Sequence, residues 1–167
     1  DFYREVATNL AKELAGPLWG VEQYLGPEAT IHRNEINSSG EILESVQQML
    51  ENFDLSPYFG ALKDYLATVS VELVSNAVFD AATRPSGDLK YYENNRSNSV
   101  ALDTKEKVVL KMGHNKTLMA LSVQDNFGRL KRDIILEGIL RCVCERSPKT
   151  GPGGAGLGLY MAFSLSS

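Results

Sequence analysis

The sequence predicts an α+β domain, and three observations support this prediction. Apolar residues recur at intervals of three and four between residues 58 and 82, as on one face of a long helix. Two apolar, β-branched runs at residues 107–112 and 117–124 flank residues 113–116, which is typical of a β-hairpin. The 167 residues are 43% hydrophobic and 23% charged, the balance of one ordinary globular domain. We expect a mixed, mostly antiparallel sheet with helices on one face.

The N-terminal part of the chain is predicted to contain two helices and a strand. Residues 2–14 carry apolar side chains at helical spacing, and Gly16 and Pro17 end that helix. Residues 29–36 are rich in polar side chains, so we expect an edge strand there. A second helix begins after a Ser38–Ser39 cap. Its apolar stripe consists of Ile42, Val46, Met49, Leu50 and Phe53.

The rest of the chain is organised around the helix at residues 58–82, which is apolar on more than one face and therefore predicted to be buried. Residues 86–98 are polar and indicate an exposed loop. Beyond the hairpin, residues 134–143 fit a short helix, and the Pro- and Gly-rich residues 147–154 favour a mobile segment. A last helix is predicted from Gly156 onward.

Composition excludes several classes of function. A net charge of −4 leaves no basic excess for a nucleic-acid partner, and no run of about 18 apolar residues could span a bilayer. Cys142 and Cys144 stand one residue apart, with no further Cys or His at metal-ligand spacing. We therefore expect two reduced thiols in a cytoplasmic protein that binds neither nucleic acid nor membrane.

The first candidate motif lies inside the long helix, where Glu72 and Asn76 are four residues apart and share one helical face. A carboxylate and a carboxamide stacked on an apolar helix require polar partners. The alternative interpretation is a solvated polar stripe, which is the usual role of such pairs.

The second candidate motif is Asp125, followed by Asn126, Phe127 and Gly128, at the end of an apolar strand. A carboxylate at that place can bind a ligand at the rim of a sheet. The alternative is a residue that starts a turn by bonding its own backbone.

The third candidate motif is the glycine-rich segment 151–159, which runs directly into a predicted helix. Glycines allow close backbone approach, and the N–H groups at a helix start favour phosphate. The alternative is a flexible linker, although a linker would not usually run straight into an amphipathic helix. The segment is neither a Walker loop nor a convincing Rossmann fingerprint.

The order and spacing of the three motifs resemble those of the GHKL ATPases, which include gyrase B, sensor histidine kinases and MutL. Glu72 and Asn76 resemble the family's N box, Asp125 its G1 box and residues 154–159 its G2 box. The resemblance covers roughly residue 38 to the C-terminus. The layout is most similar to the anti-sigma-factor serine kinases of the SpoIIAB and RsbW type.

The resemblance implies a fold, a cofactor and a role for each site residue. The fold would be a Bergerat-type two-layer sandwich over residues 1–167, with a helix and edge strand in 1–37, an ATP lid in 129–153 and a truncated C-terminus. Asn76 would hold Mg²⁺ against the phosphates of ATP, and Glu72 would orient or deprotonate the attacking group. Asp125 would accept from the adenine amino group. Further nucleotide contacts would come from Gly128, Lys149, Gly154, Gly156, Leu157 and Gly158.

The chain departs from the family pattern at a few positions. Phe127 and Arg129 replace the usual G1 glycines, so that Phe127 would either stack on adenine or block it. Phe79 and Asp80 follow Asn76 where sensor kinases often carry a basic and an aromatic residue. Neither His32, in a predicted strand, nor His114, in a predicted turn, stands in a phosphoacceptor helix.

The leading functional hypothesis is therefore an ATP·Mg-binding bacterial regulatory domain. If active, it would be a serine/threonine protein kinase or ATPase acting on a regulatory protein of the sigma-factor, anti-anti-sigma or response-regulator type. A homodimer is one possible assembly. The alternatives are a non-catalytic protein-interaction module with a degenerate nucleotide site, and the catalytic ATP-binding domain of a sensor histidine kinase.

Overall fold

The structure, a computed structural model, describes residues 20–53, 60–131, 133–137 and 140. These residues form helices and one three-stranded antiparallel sheet, which confirms the predicted α+β class. The chain divides into two compact units. The first holds the described residues within 1–33 and 111–122, and the second holds the others.

The sheet has the strand order β1-β2-β3, with β1 at Thr30–Ile36, β2 at Val108–His114 and β3 at Met119–Gln124. Strand β1 lies at one end of this order among the described strands. Burial alternates along β2 up to Met112, and Val108, Leu110 and Met112 are fully buried.

The hairpin turn lies later in the chain than the predicted residues 113–116. Asn115 Oδ1 accepts hydrogen bonds from the N–H groups of Thr117 and Leu118 at 2.9 and 2.8 Å, so the turn begins at Asn115. The prediction that His114 lies in the turn is therefore wrong, because His114 is the last residue of β2. Gly113 was interpreted as a turn residue but lies within the strand, where a Cβ would approach Leu25 Cδ1 to 2.7 Å.

In the first unit, the short helix α1 at Val21–Leu25 lies in a segment for which the sequence predicted no helix. Two hydrogen bonds hold α1 to the hairpin, from Lys111 Nζ to Glu22 Oε1 at 2.6 Å and from Asn115 Nδ2 to the carbonyl oxygen of Leu25 at 2.8 Å. The Lys111 hydrogen bond is the main reason that the pKa of Glu22 is lowered. The predicted helix at residues 2–14 lies outside the described residues.

In the second unit, helix α2 at Ile42–Glu51 packs against the long helix α3 at Gly60–Phe79. Ser38 accepts a hydrogen bond from the N–H of Gly40 at 3.1 Å and so caps a short 3₁₀ turn, Ser39–Glu41, that leads into α2. Helix α3 ends at Phe79, three residues before the predicted end at residue 82. The core includes Ile36, Ile42, Val46, Met49, Leu50, Phe53, Val69, Val74, Val78 and Phe79.

The segment after α3 is a chain of turns, as expected for the loop at residues 86–98. Residues 133–137 and 140 are helical, within or next to the predicted helix at 134–143. Across the described ranges, no helix has both the length and the apolar character needed to cross a bilayer.

Candidate functional site

Three polar side chains, Glu72, Asn76 and Asp80, follow one another at intervals of four toward the C-terminal end of α3. We call them the α3 ridge. Residues four apart lie on one helical face, so the ridge is continuous. All three are partly exposed, whereas Val74, Ala77 and Val78 between them are buried. Neither Glu72 nor Asn76 makes a side-chain hydrogen bond to another described residue, which leaves their oxygen atoms available to a ligand or to water.

Within the α3 ridge, Asp80 is the carboxylate whose pKa is raised by its surroundings. Burial raises its pKa, the nearby Arg96 guanidinium opposes that rise, and the Glu72 carboxylate adds to it. Its Oδ2 lies 3.3 Å from Nη2 of Arg96, whose guanidinium carbon is 5.3 Å from the ring centroid of Phe79. Its Oδ1 is buried and has no hydrogen-bond partner among the described residues. Sequence reasoning noted Asp80 only as a departure from a family pattern.

Asp125 lies directly after β3, where the sequence placed it, and its carboxylate organises the following turn. Its Oδ1 accepts hydrogen bonds from the N–H groups of Phe127 at 2.6 Å and Gly128 at 3.2 Å. Gly128 has φ 60°, a left-handed conformation that glycine adopts at little cost. The turn-forming role of Asp125 is therefore present in the structure. Its second oxygen, Oδ2, has no hydrogen bond to a described residue.

A buried polar network that the sequence did not reveal is centred on Glu106, which is 8% exposed. Its carboxylate accepts hydrogen bonds from Lys90 Nζ at 2.6 Å, from the Tyr91 hydroxyl at 2.7 Å and from the N–H of Asp103 at 3.0 Å. Burial alone would raise the pKa of Glu106, but these donors outweigh it and the pKa is lowered. Hydrogen bonding to Glu106 in turn raises the pKa of Lys90, which stays charged.

An open cleft of about 410 Å³ lies beside this network. It is lined by Thr83, Asp103, Thr104, Lys105, Glu106 and Phe127. Hydrogen bonds join its walls, because Lys90 holds Asp103 at 3.1 Å and Glu106, while Asn126 Nδ2 donates to the carbonyl oxygen of Lys105 at 3.1 Å. The cleft is therefore built from three chain segments that are tied together.

The cleft is lined by one residue that is close in sequence to each of two motifs found in the sequence. Thr83 follows Asp80 of the α3 ridge by three residues, which is at most about 11 Å of chain. Phe127 belongs to the turn that Asp125 caps. No hydrogen bond between described residues joins Glu72 or Asn76 to Asp125, and none of these three side chains lines the cleft.

The remaining predicted site residues lie outside the described residues, namely Lys149, Gly154, Gly156, Leu157 and Gly158, together with most of the predicted lid at 129–153. Within the described ranges, no group of three or more His, Cys, Asp or Glu side chains is arranged to hold a metal ion.

Comparisons with models of protein families, with curated proteins and with solved structures found no match to this chain.

Proposed function

We propose that this chain is an ATP·Mg-binding regulatory domain with the two-layer sandwich fold of the GHKL ATPases. The observation that supports it best is the cleft between the segment after α3 and the Asp125 turn. Thr83, seven residues after Asn76, and Phe127, two residues after Asp125, line one cavity of a size usual for small-molecule sites. Its place of action would be the cytoplasm.

The role proposed for each residue follows from its resemblance to the family motifs. The Asn76 carboxamide oxygen would ligate Mg²⁺, and the Glu72 carboxylate would orient or deprotonate the group that attacks the γ-phosphate. Asp125 Oδ2 would accept from the adenine amino group while Oδ1 holds the turn. Gly128, Lys149 and the backbone at Gly154, Gly156, Leu157 and Gly158 would contact the nucleotide, and residues 129–153 would close over it.

Titration of the whole chain with ATP and Mg²⁺ tests this proposal. We expect heat of binding in calorimetry and a rise in melting temperature, because a ligand at 100 times its dissociation constant stabilises a fold by about 2.7 kcal/mol. The absence of both binding heat and a thermal shift at millimolar ATP·Mg would rule the proposal out. Asn76→Ala is the matched variant, since it should weaken binding without removing a hydrogen bond between described residues.

Turnover is the second part of the proposal. The domain would transfer the γ-phosphate to a serine or threonine of a partner of the sigma-factor, anti-anti-sigma or response-regulator type, or to water. Radiolabelled ATP with a lysate of the native cell should yield labelled protein or released phosphate. Both should disappear in Glu72→Ala, which keeps the Asp125 turn intact.

A non-catalytic interaction module is the second candidate, and one observation favours it. Asp125 Oδ1 is already used by two backbone N–H groups, so this carboxylate has a structural role whether or not nucleotide binds. In that case ATP would bind weakly or not at all, and Glu72→Ala would leave partner capture unchanged. Phosphate release that depends on Glu72 would exclude this candidate.

A further inference from the structure

Phe127 forms one wall of the cleft without filling it. Its side chain is half-buried, and about 410 Å³ of open space remains beside it. That volume lies within the range of about 300–1,000 Å³ that small-molecule sites occupy. A phenylalanine at this position would either stack on a ligand or block its entry. The open cleft favours stacking.

The ring is presented by a backbone that is fixed on both sides. The N–H of Phe127 donates to Asp125 Oδ1, and the next residue, Gly128, is held in a left-handed conformation. The Asn126 side chain ties the same turn to the carbonyl oxygen of Lys105. Because the backbone is already ordered, a ligand that stacks on the ring loses little free energy to ordering the protein.

The other walls of the cleft are polar, and their charges are largely balanced. Thr83 and Thr104 contribute hydroxyl groups, each of which can both donate and accept a hydrogen bond. The carboxylates of Asp103 and Glu106 share the Lys90 ammonium group, and Lys105 adds a further cation. A cleft lined by both an aromatic ring and hydroxyl groups suits a heteroaromatic ring with donors and acceptors on its edge. An alkyl chain would cover the hydroxyl groups without replacing their hydrogen bonds to water.

We infer that the cleft takes the purine base of the nucleotide, stacked on Phe127, with Thr83 and Thr104 at the edge of the base. This inference rests on the proposed function and names its base-binding residue. Stacking is available to every base, since each has a π-face. Phe127 therefore contributes affinity for the base, whereas discrimination between bases belongs to groups such as Asp125.

The test compares ligands that have a base with one that has none. Calorimetry on the whole chain measures ATP·Mg, adenosine and inorganic triphosphate·Mg against the unsubstituted protein, Phe127→Ala and Phe127→Trp. Tyr65→Ala, which removes an aromatic ring that is 48% exposed on α3, is the matched control. We expect Phe127→Ala to bind ATP·Mg and adenosine about tenfold or more weakly and triphosphate·Mg as before. Tyr65→Ala should bind all three as the unsubstituted protein does.

Phe127→Trp gives a direct readout that does not depend on a loss of binding. It should keep its affinity for ATP and add an indole emission to that of Trp19. ATP and adenosine should quench this added emission and triphosphate should not, with the unsubstituted protein as the measure of the Trp19 emission. Unchanged ATP affinity in Phe127→Ala, or an emission from Phe127→Trp that saturating ATP leaves unaltered, would overturn the inference and leave the proposed function standing. A protein that binds neither ATP·Mg nor triphosphate·Mg would overturn both.

Discussion

The Glu106 network and the α3 ridge are both polar regions of the same compact unit, yet their side chains are satisfied to very different degrees. Glu106 is buried, and its two oxygens accept from an ammonium group, a phenol and a backbone N–H. On the α3 ridge, Asp80 Oδ1 is buried without a described partner. The pKa of Glu106 is lowered and that of Asp80 is raised.

This difference separates a scaffold from a candidate site. A buried carboxylate whose hydrogen bonds are all internal fixes the walls of the cleft and has nothing left to offer a ligand. A carboxylate whose pKa is raised by burial, close to polar side chains that have no hydrogen-bond partner among the described residues, is typical of a ligand-binding site. Substitutions in the two regions should therefore differ in sign as well as in size.

Glu106→Ala should give the largest effect. It leaves the Lys90 ammonium and the buried Tyr91 hydroxyl without their acceptor, and we expect a loss of about 3 kcal/mol in the free energy of unfolding. The loss stays at the low end for a buried pair because Lys90 keeps 31% of its side chain exposed. Urea denaturation measures it. Glu72→Ala is the matched control and should change stability by less than about 0.5 kcal/mol. Equal losses would erase the distinction between scaffold and site.

The pH dependence of stability should identify the same carboxylate. Because the folded pKa of Glu106 lies below its ordinary value of 4.5, its ionised form stabilises the fold fully above that pH. This stability is lost as the pH falls below 4.5 and through the folded pKa. The difference in the free energy of unfolding between the unsubstituted protein and Glu106→Gln should therefore be constant near neutral pH and disappear in acid. Urea unfolding at several pH values measures it. A difference that grows in acid would show that the pKa of Glu106 is not lowered in the folded state.

Substitutions of Asp125 should have an intermediate effect on stability. Two variants separate the roles of its two carboxylate oxygens. Asp125→Ala removes the acceptor for two N–H groups and should cost about 1 kcal/mol of stability, read from thermal unfolding. Asp125→Asn keeps an oxygen that can hold the turn, so the fold should survive. It should lose the preference for ATP over GTP, because a carboxylate facing the guanine carbonyl leaves two acceptors unpaired. Equal ATP and GTP affinity in the unsubstituted protein would remove that role.

Asp80→Asn should give the smallest effect, with the opposite sign from Glu106→Ala. Its folded pKa is raised above the ordinary 3.8, mainly by burial, so its ionised form destabilises the fold at neutral pH. The amide removes that charge, and we expect a gain of up to about 1 kcal/mol near pH 7. The gain should shrink as the pH falls below the raised pKa and vanish below the ordinary 3.8, where Asp80 is protonated in both the folded and the unfolded state. A net loss of stability at pH 7 would mean that the ion pair with Arg96 stabilises the fold by more than the burial of the Asp80 charge destabilises it.

The same contrast explains which features were predictable from the sequence. The apolar residues of α2 and α3 recur with a regular period, and the structure confirms that both segments are helices. Helix α1 was missed because five residues between two glycines resemble a loop. The hairpin turn was misplaced because Gly113 serves close packing against Leu25 rather than a turn.

The site was predictable only where its residues are close in sequence. Glu72 and Asn76 are four residues apart and Asp125 follows a recognisable strand, so local pattern identified them. Glu106 pairs with Lys90 and Tyr91, which are 16 and 15 residues away, and no periodic signal joins such positions. Burial of Asp80 beside Arg96 likewise depends on a loop whose path the sequence does not specify.

The side-chain amide of Asn76 offers the most direct test of the central claim, that the α3 ridge faces the nucleotide. Its ¹H–¹⁵N resonances can be assigned by their disappearance in Asn76→Ala and followed as ATP·Mg is added. Asn52, whose Nδ2 donates to the Gln48 carbonyl oxygen at 3.1 Å, is an internal control at the end of α2. The account predicts a saturable shift of the Asn76 resonances with ATP·Mg and none at Asn52. Asn76 resonances that stay fixed while nucleotide is demonstrably bound would contradict it.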